Sequence, residues 1–158
     1  MTTASFGSIS SGTMRSEDLL DTFADELESF LSDDETNKEE AVYRELIAEA
    51  RNVPYTDDGD CEDVERAIET VEELFNALDE FAPPYGYFGA HPGDGACYGF
   101  WLPDDFPDHN FDGLRVDDTS EVPADYVGEI LHVNDHGNIT LYAKDEGSEE
   151  LREIWSLV

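Results

Sequence analysis

Apolar residues recur at helical spacing in the first half of the chain and at alternate positions in the second. In "SEDLLDTFADELESFL", Leu19, Leu20, Phe23, Leu27, Phe30 and Leu31 fall on one side of a helix that begins at Ser16. Ser16 is a natural N-cap, and Glu17 and Asp18 complement the dipole in the first turn. The pattern "TNKE", Thr36 to Glu39, reads as a capping box for a second helix. Its stripe is Val42, Leu46, Ile47 and Ala50, and it ends at the loop "NVPYTDDGD". A third helix is expected from about Asp60, its N-cap, to about Ala82, where Pro83 and Pro84 stop it. Val64, Ala67, Ile68, Val71, Leu74, Phe75 and Leu78 give it a broad face to bury.

Beyond Pro84 the text turns aromatic and glycine-punctuated. "YGYFGAHPGDGACYGFWL" predicts two strands joined at "HPGDG". A long acidic loop follows, with one short strand around Leu114 to Val116. "GEILHVNDHGNITLYA" is a hairpin whose turn, "NDHGN", tolerates positive φ, and "LREIWSLV" is a final strand. Residues 1–14, small and polar around Phe6 and Ile9, form a loose arm or a short edge strand. The expected fold is α+β, with three N-terminal amphipathic helices followed by a four- to five-stranded antiparallel sheet. In that reading residues 1–15 are an arm and 16–158 one domain, helical over 16–82 and sheet over 85–158.

Composition supplies a core: 39% of the 158 residues are hydrophobic, with nine Phe, seven Tyr and two Trp. A disordered acidic tail lacks such material. No run of eighteen apolar residues occurs, so no membrane span is expected. "MTTASFGSISSGTMR" lacks the charged and apolar regions of a signal peptide. Cys61 and Cys97 stand apart without metal-type spacing, which fits a reduced, cytoplasmic protein.

Charge changes the picture most. Forty Asp and Glu against eight Lys and Arg leave −32 at pH 7. Nucleic acid and anionic membranes repel such a chain, whereas proteins with basic clefts attract it, less so in salt. The expected partner is therefore a basic nucleic-acid-binding protein, with no direct contact to nucleic acid or membrane. Position adds to this. Glu17, Asp21, Asp25 and Glu28 follow spacings of three and four on the first helix. Glu62, Glu65, Glu69, Glu72 and Glu73 do so around the third, with Glu80 also off its apolar stripe. Neighbours at such spacings lie roughly 5–6 Å apart at Cβ. Duplex DNA carries about one charge per 1.7 Å of axis, so two such helices offer a phosphate-like array. The loop carboxylates Asp104, Asp105, Asp108 and Asp112 are second candidates.

Other chemistries fit less well. His91, Asp94 and Cys97 near one turn, and His132, Asp135 and His136 near another, draw a metal site only if the turns meet. His109 lies apart, and no H-x-x-x-H or C-x-x-C occurs. Asp58, Asp60 and Glu62 in "DDGDCEDVE" alternate like a calcium loop but lack its Gly and Glu in register. No nucleophile elbow, P-loop, dinucleotide fingerprint or H-E-x-x-H is present. A non-enzymatic protein without cofactor or metal is expected.

Three phrases, "GTMRSEDLLDTF", "FGAHPGDGACYGFW" and "LHVNDHGNITLY", resemble small uncharacterised proteins of bacterial, plasmid and phage genomes. They cover about a quarter of the chain, bring no catalytic residues and imply a mobile-element origin. The overall charge is similar to that of phage-borne DNA mimics, among them anti-restriction and anti-CRISPR inhibitors. That likeness implies an inhibitor blocking the basic cleft of a nuclease, restriction enzyme or CRISPR effector. An immunity or antitoxin protein for a cationic toxin is the alternative, as is a salt-adapted housekeeping domain with carboxylates spread over every face.

Overall fold

Leu19, Leu20, Phe23, Ala24 and Leu27 are all buried, so the stripe read from the first helix points into the core. That helix, α1 (Ser16–Ser29), belongs to a computed structural model that describes residues 3–34, 36–56 and 58–158. The chain divides into two compact units, Met1–Asp104 and Asp105–Val158.

The first unit holds β1 (Gly7–Ser10), α1, α2 (Ala41–Arg51), α3 (Val64–Asp79), β2 (Tyr87–His91) and β3 (Asp94–Trp101). Its sheet has the order β1-β3-β2, antiparallel throughout. Gly7–Ser10 thus form the edge-strand alternative. β1 lies so close to β3 that a Cβ on Gly99 would sit 2.1 Å from the Gly7 carbonyl oxygen, so only glycine admits that pairing. Aromatic rings join helices to sheet: Phe23 meets Phe88 at 5.2 Å and Tyr98 at 5.6 Å, and Phe75 meets Phe88 at 5.1 Å. Edge-to-face rings at such distances add to the burial that holds helices on a sheet.

The second unit holds β4 (Leu114–Val116), β5 (Gly128–Val133), β6 (Ile139–Lys144) and β7 (Arg152–Leu157), in the order β4-β5-β6-β7. Ile130, Leu131 and Leu141 are fully buried, with Phe111, Val116 and Trp155 nearly so. The β5–β6 hairpin and β7 form where the alternation placed them. The buried Lys144 ammonium donates to the carbonyls of Pro123 (3.0 Å) and Ala124 (2.8 Å), fastening the loop before β5.

The class is α+β, but the arrangement of three helices followed by one antiparallel sheet is overturned. One strand precedes the helices, the strands form two sheets, and β4 pairs with β5 in parallel. The reasons are physical. The Phe88 and Phe100 side chains of the β2–β3 hairpin bury with the helices, whereas Ile130, Leu131 and Leu141 make a core of their own. From β4 the chain runs through residues 117–127, including a 3-10 turn at Thr119–Glu121, and returns in the same direction, which no tight hairpin can do.

Helix starts also differ from the reading. Ser16 is the first helical residue and Arg15 the N-cap, without a side-chain cap bond. The capping box at Thr36–Glu39 does not form. The Thr36 hydroxyl donates to Asp34 (2.6 Å), the Glu39 N–H to Asn37 (3.0 Å), and α2 begins at Ala41. There Glu40 is buried against Ser32 and Arg44, accepting at 2.8 Å from each side chain. α3 is shorter at both ends than expected, and Asp63, not Asp60, caps it, accepting from the Arg66 N–H at 3.1 Å.

Candidate partner-binding surface

The two predicted rows of carboxylates meet different fates. On α1, Arg51 reaches across from α2 to Asp25 (2.8 Å) and Glu28 (2.7 Å). Arg15 binds Glu17 and also reaches Asp60 (3.2 Å). The Arg51 guanidinium holds Glu28 below the usual carboxylate range. The backbone N–H of Glu17 and then the Arg15 guanidinium do the same for Glu17. Only Asp21 of this row has no ion pair among the described residues.

Around α3, Glu62 precedes the cap, and Glu65, Glu69, Glu72 and Glu73 are exposed on the helix. None of the five has an ion pair among the described residues. The helix's one basic residue, Arg66, is engaged with Glu49 of α2 at 3.2 Å. Glu69 therefore faces Glu65, Glu72 and Glu73 at spacings of three and four with no counter-charge, at about 0.2–0.5 kcal/mol per pair.

The face buried by α3 is narrower than its apolar residues suggested. Ala67, Thr70, Leu74, Ala77 and Leu78 are buried, Val71 and Phe75 are half-buried, and Val64 and Ile68 are 59% and 46% exposed. The expectation that Val64 and Ile68 join the core is corrected: the small Ala67 and Ala77, with Thr70, take the inner positions. The Thr70 hydroxyl is satisfied internally by the Arg66 carbonyl at 2.8 Å, which allows its burial.

Sequence reasoning missed a second acidic feature. A groove of about 600 Å³ runs between α2 and α3, with Val42, Leu46 and Ala77 among its apolar lining. Glu45 and Glu49 contribute from α2, Glu73 and Glu80 from the other side. The Tyr43 hydroxyl donates to Glu80 at 2.7 Å, and burial, then the Glu80 charge, push its pKa up to about 12. The available signal was Val42, Leu46, Glu45 and Glu49, two interleaved i,i+4 pairs on the second helix.

The loop carboxylates Asp104, Asp105, Asp108 and Asp112 are exposed. Asp104 closes the first unit; the other three belong to the second, where Asp108 pairs with Arg115 at 3.2 Å. His91 and Cys97 lie in the first unit, His132 and His136 in the second. The His91 Nδ1 accepts from the Gly93 N–H at 3.0 Å, and the ring packs edge-on against Trp101. Cys61 is buried, and burial raises its thiol pKa. Among the described residues no three His, Cys, Asp or Glu side chains converge within reach of one metal ion.

Total charge does not single out a surface. Residues 1–104 carry 26 carboxylates and 5 basic side chains, residues 105–158 carry 14 and 3, so the acid density is the same in both units. What separates α3 from α1 is the lack of pairing, not the number of acids. No family model, curated protein or solved structure matches the chain. No helix is long and apolar enough to cross a membrane among the described residues.

Proposed function

We propose that this protein is an acidic, non-enzymatic inhibitor that presents α3 to the basic cleft of a nucleic-acid-binding protein and blocks its substrate. The observation that carries this reading is the unpaired row Glu65, Glu69, Glu72 and Glu73 on one helix, with Glu62 just before its cap. A helix fixes the carboxylates before binding, so a cationic groove gains charge-assisted contacts without ordering flexible side-chain bearers. The α1 row contributes less, because Arg51 and Arg15 already occupy three of its four carboxylates.

The test is capture from a bacterial lysate on the immobilised protein, followed by elution with a 30-base-pair duplex and identification of what elutes. A nucleic-acid-binding protein should come off with the duplex and should be missing from the Glu65→Lys/Glu69→Lys/Glu72→Lys column, a loss of at least a hundredfold. Identical eluates from both columns would sink the reading. Exposed Val64 and Ile68 beside the acidic row favour a second reading, an immunity-type protein with one dedicated cationic partner. That partner would stay on the column through the duplex wash.

A further inference from the structure

We infer that the stripe of α3 formed by exposed Val64 and Ile68 and half-buried Val71 and Phe75 is a docking site for a basic amphipathic helix of a partner protein, which lays apolar side chains along it. This inference rests on the reading of the partner as cationic and adds how it is gripped. The four residues follow spacings of four, three and four, so they form one stripe about 16 Å long. The stripe ends in a pocket of about 420 Å³ whose lining includes Leu19 and Phe23 of α1, Phe75 of α3 and Tyr98 of β3. Phe23 is fully buried, so the pocket has a fixed aromatic floor. Glu72 and Asn76 give it a polar edge, and it has room for one large apolar side chain such as the anchors of helix-in-groove complexes.

Charge decides the occupant. Glu65, Glu69 and Glu72 follow Val64, Ile68 and Val71 by one residue each, so an unpaired acidic row runs alongside the apolar stripe, rotated about 100° around the helix. A helix with leucine-like residues on one face and arginine or lysine beside them satisfies both rows at once. A second copy of this chain brings its own 40 carboxylates to the contact. Nucleic acid is repelled by the acid row and gains nothing from the apolar one.

The probe is an 18-residue labelled peptide of leucine and arginine with leucines at i, i+3, i+4 and i+7, set against an isomer of the same composition with leucines scattered. Fluorescence anisotropy at 150 mM salt should show the ordered isomer binding at least tenfold more tightly. Val64→Ser/Ile68→Ser, at exposed positions, should erase that preference while leaving the thermal midpoint unchanged. Glu65→Gln/Glu69→Gln should weaken both isomers severalfold and keep the preference. Equal binding of the isomers to the native protein, or a preference that survives Val64→Ser/Ile68→Ser, overturns the inference. So does a sedimentation dimer of the native protein that Val64→Ser/Ile68→Ser dissolves, since a second copy would then cover the stripe. If the preference holds while duplex elutes nothing in the capture experiment, the inhibitor reading fails and the docking site stands.

Discussion

Helices α1 and α3 carry similar numbers of carboxylates, yet arginines pair with three of those on α1 and, among the described residues, with none on α3. On α1, Asp25 and Glu28 share Arg51, and Glu17 holds Arg15. On α3 the single arginine turns to Glu49, and Glu65, Glu69, Glu72 and Glu73 keep their full repulsion. Asp25 and Glu28 tie α1 to α2, with a small net gain typical of exposed pairs. Glu65, Glu69, Glu72 and Glu73 form no ion pair among the described residues, so an outside cation gains more along their row than along that of α1. Counting carboxylates along a helix does not reveal this; tracing each arginine does.

The largest effect that sharpens the contrast is on stability. Phe23→Ala on α1 removes a fully buried ring between Phe88 and Tyr98 and is expected to cost about 3–5 kcal/mol. Ile68→Ser on α3 should change stability by less than about 0.5 kcal/mol. Urea titration of both variants checks this; a large loss for Ile68→Ser would mean that the outer stripe of α3 supports the core after all.

The next comparison turns on sign. Glu69→Gln removes three like-charge contacts and should stabilise the protein by about 0.5–1 kcal/mol at low salt. Arg51→Ala strips the counter-charge from Asp25 and Glu28 and should destabilise it, by at most about 1 kcal/mol. Both shifts should shrink as sodium chloride rises from about 10 to 150 mM, where screening acts within about a Debye length. A thermal midpoint that keeps climbing into molar salt would assign the charge to salt adaptation instead, because screening alone is then exhausted.

The smallest effect is the pH profile. Glu28 titrates below its ordinary value of 4.5 through its hydrogen bond and charge contact with Arg51. The unfolded carboxyl therefore takes up its proton first as pH falls. The contribution of the pair is full above about 4.5 and is lost as pH drops through the lowered value. Arg51→Ala should flatten that part of the acid limb. At the alkaline end Tyr43 titrates near 12 instead of 10, so its contribution fades between those values as the unfolded phenol ionises, and Tyr43→Phe should remove that slope. Stability measured by denaturant at stepped pH reads both. An unchanged acid limb in Arg51→Ala would show that the α1 pairs carry no weight.

The three helices, the two hairpins and the final strand were legible in the residue order, because each depends on periodicity and turn residues within a dozen positions. So were the excess of negative charge and the carboxylates that share a helical face. How the strands divide into two sheets emerged from the folded chain, since that depends on which apolar faces find each other far apart in sequence. The same holds for β4, whose parallel partner follows from the path of residues 117–127 and not from its three residues. Folding also left Val64 and Ile68 in solvent, because Ala67, Thr70, Leu74, Ala77 and Leu78 occupy the buried face of α3. Above all, it decided that Glu17, Asp25 and Glu28 of α1 meet arginines, whereas Glu65, Glu69, Glu72 and Glu73 of α3 have no ion pair among the described residues. An arginine reaches its partner across space, over distances in sequence that no local pattern records.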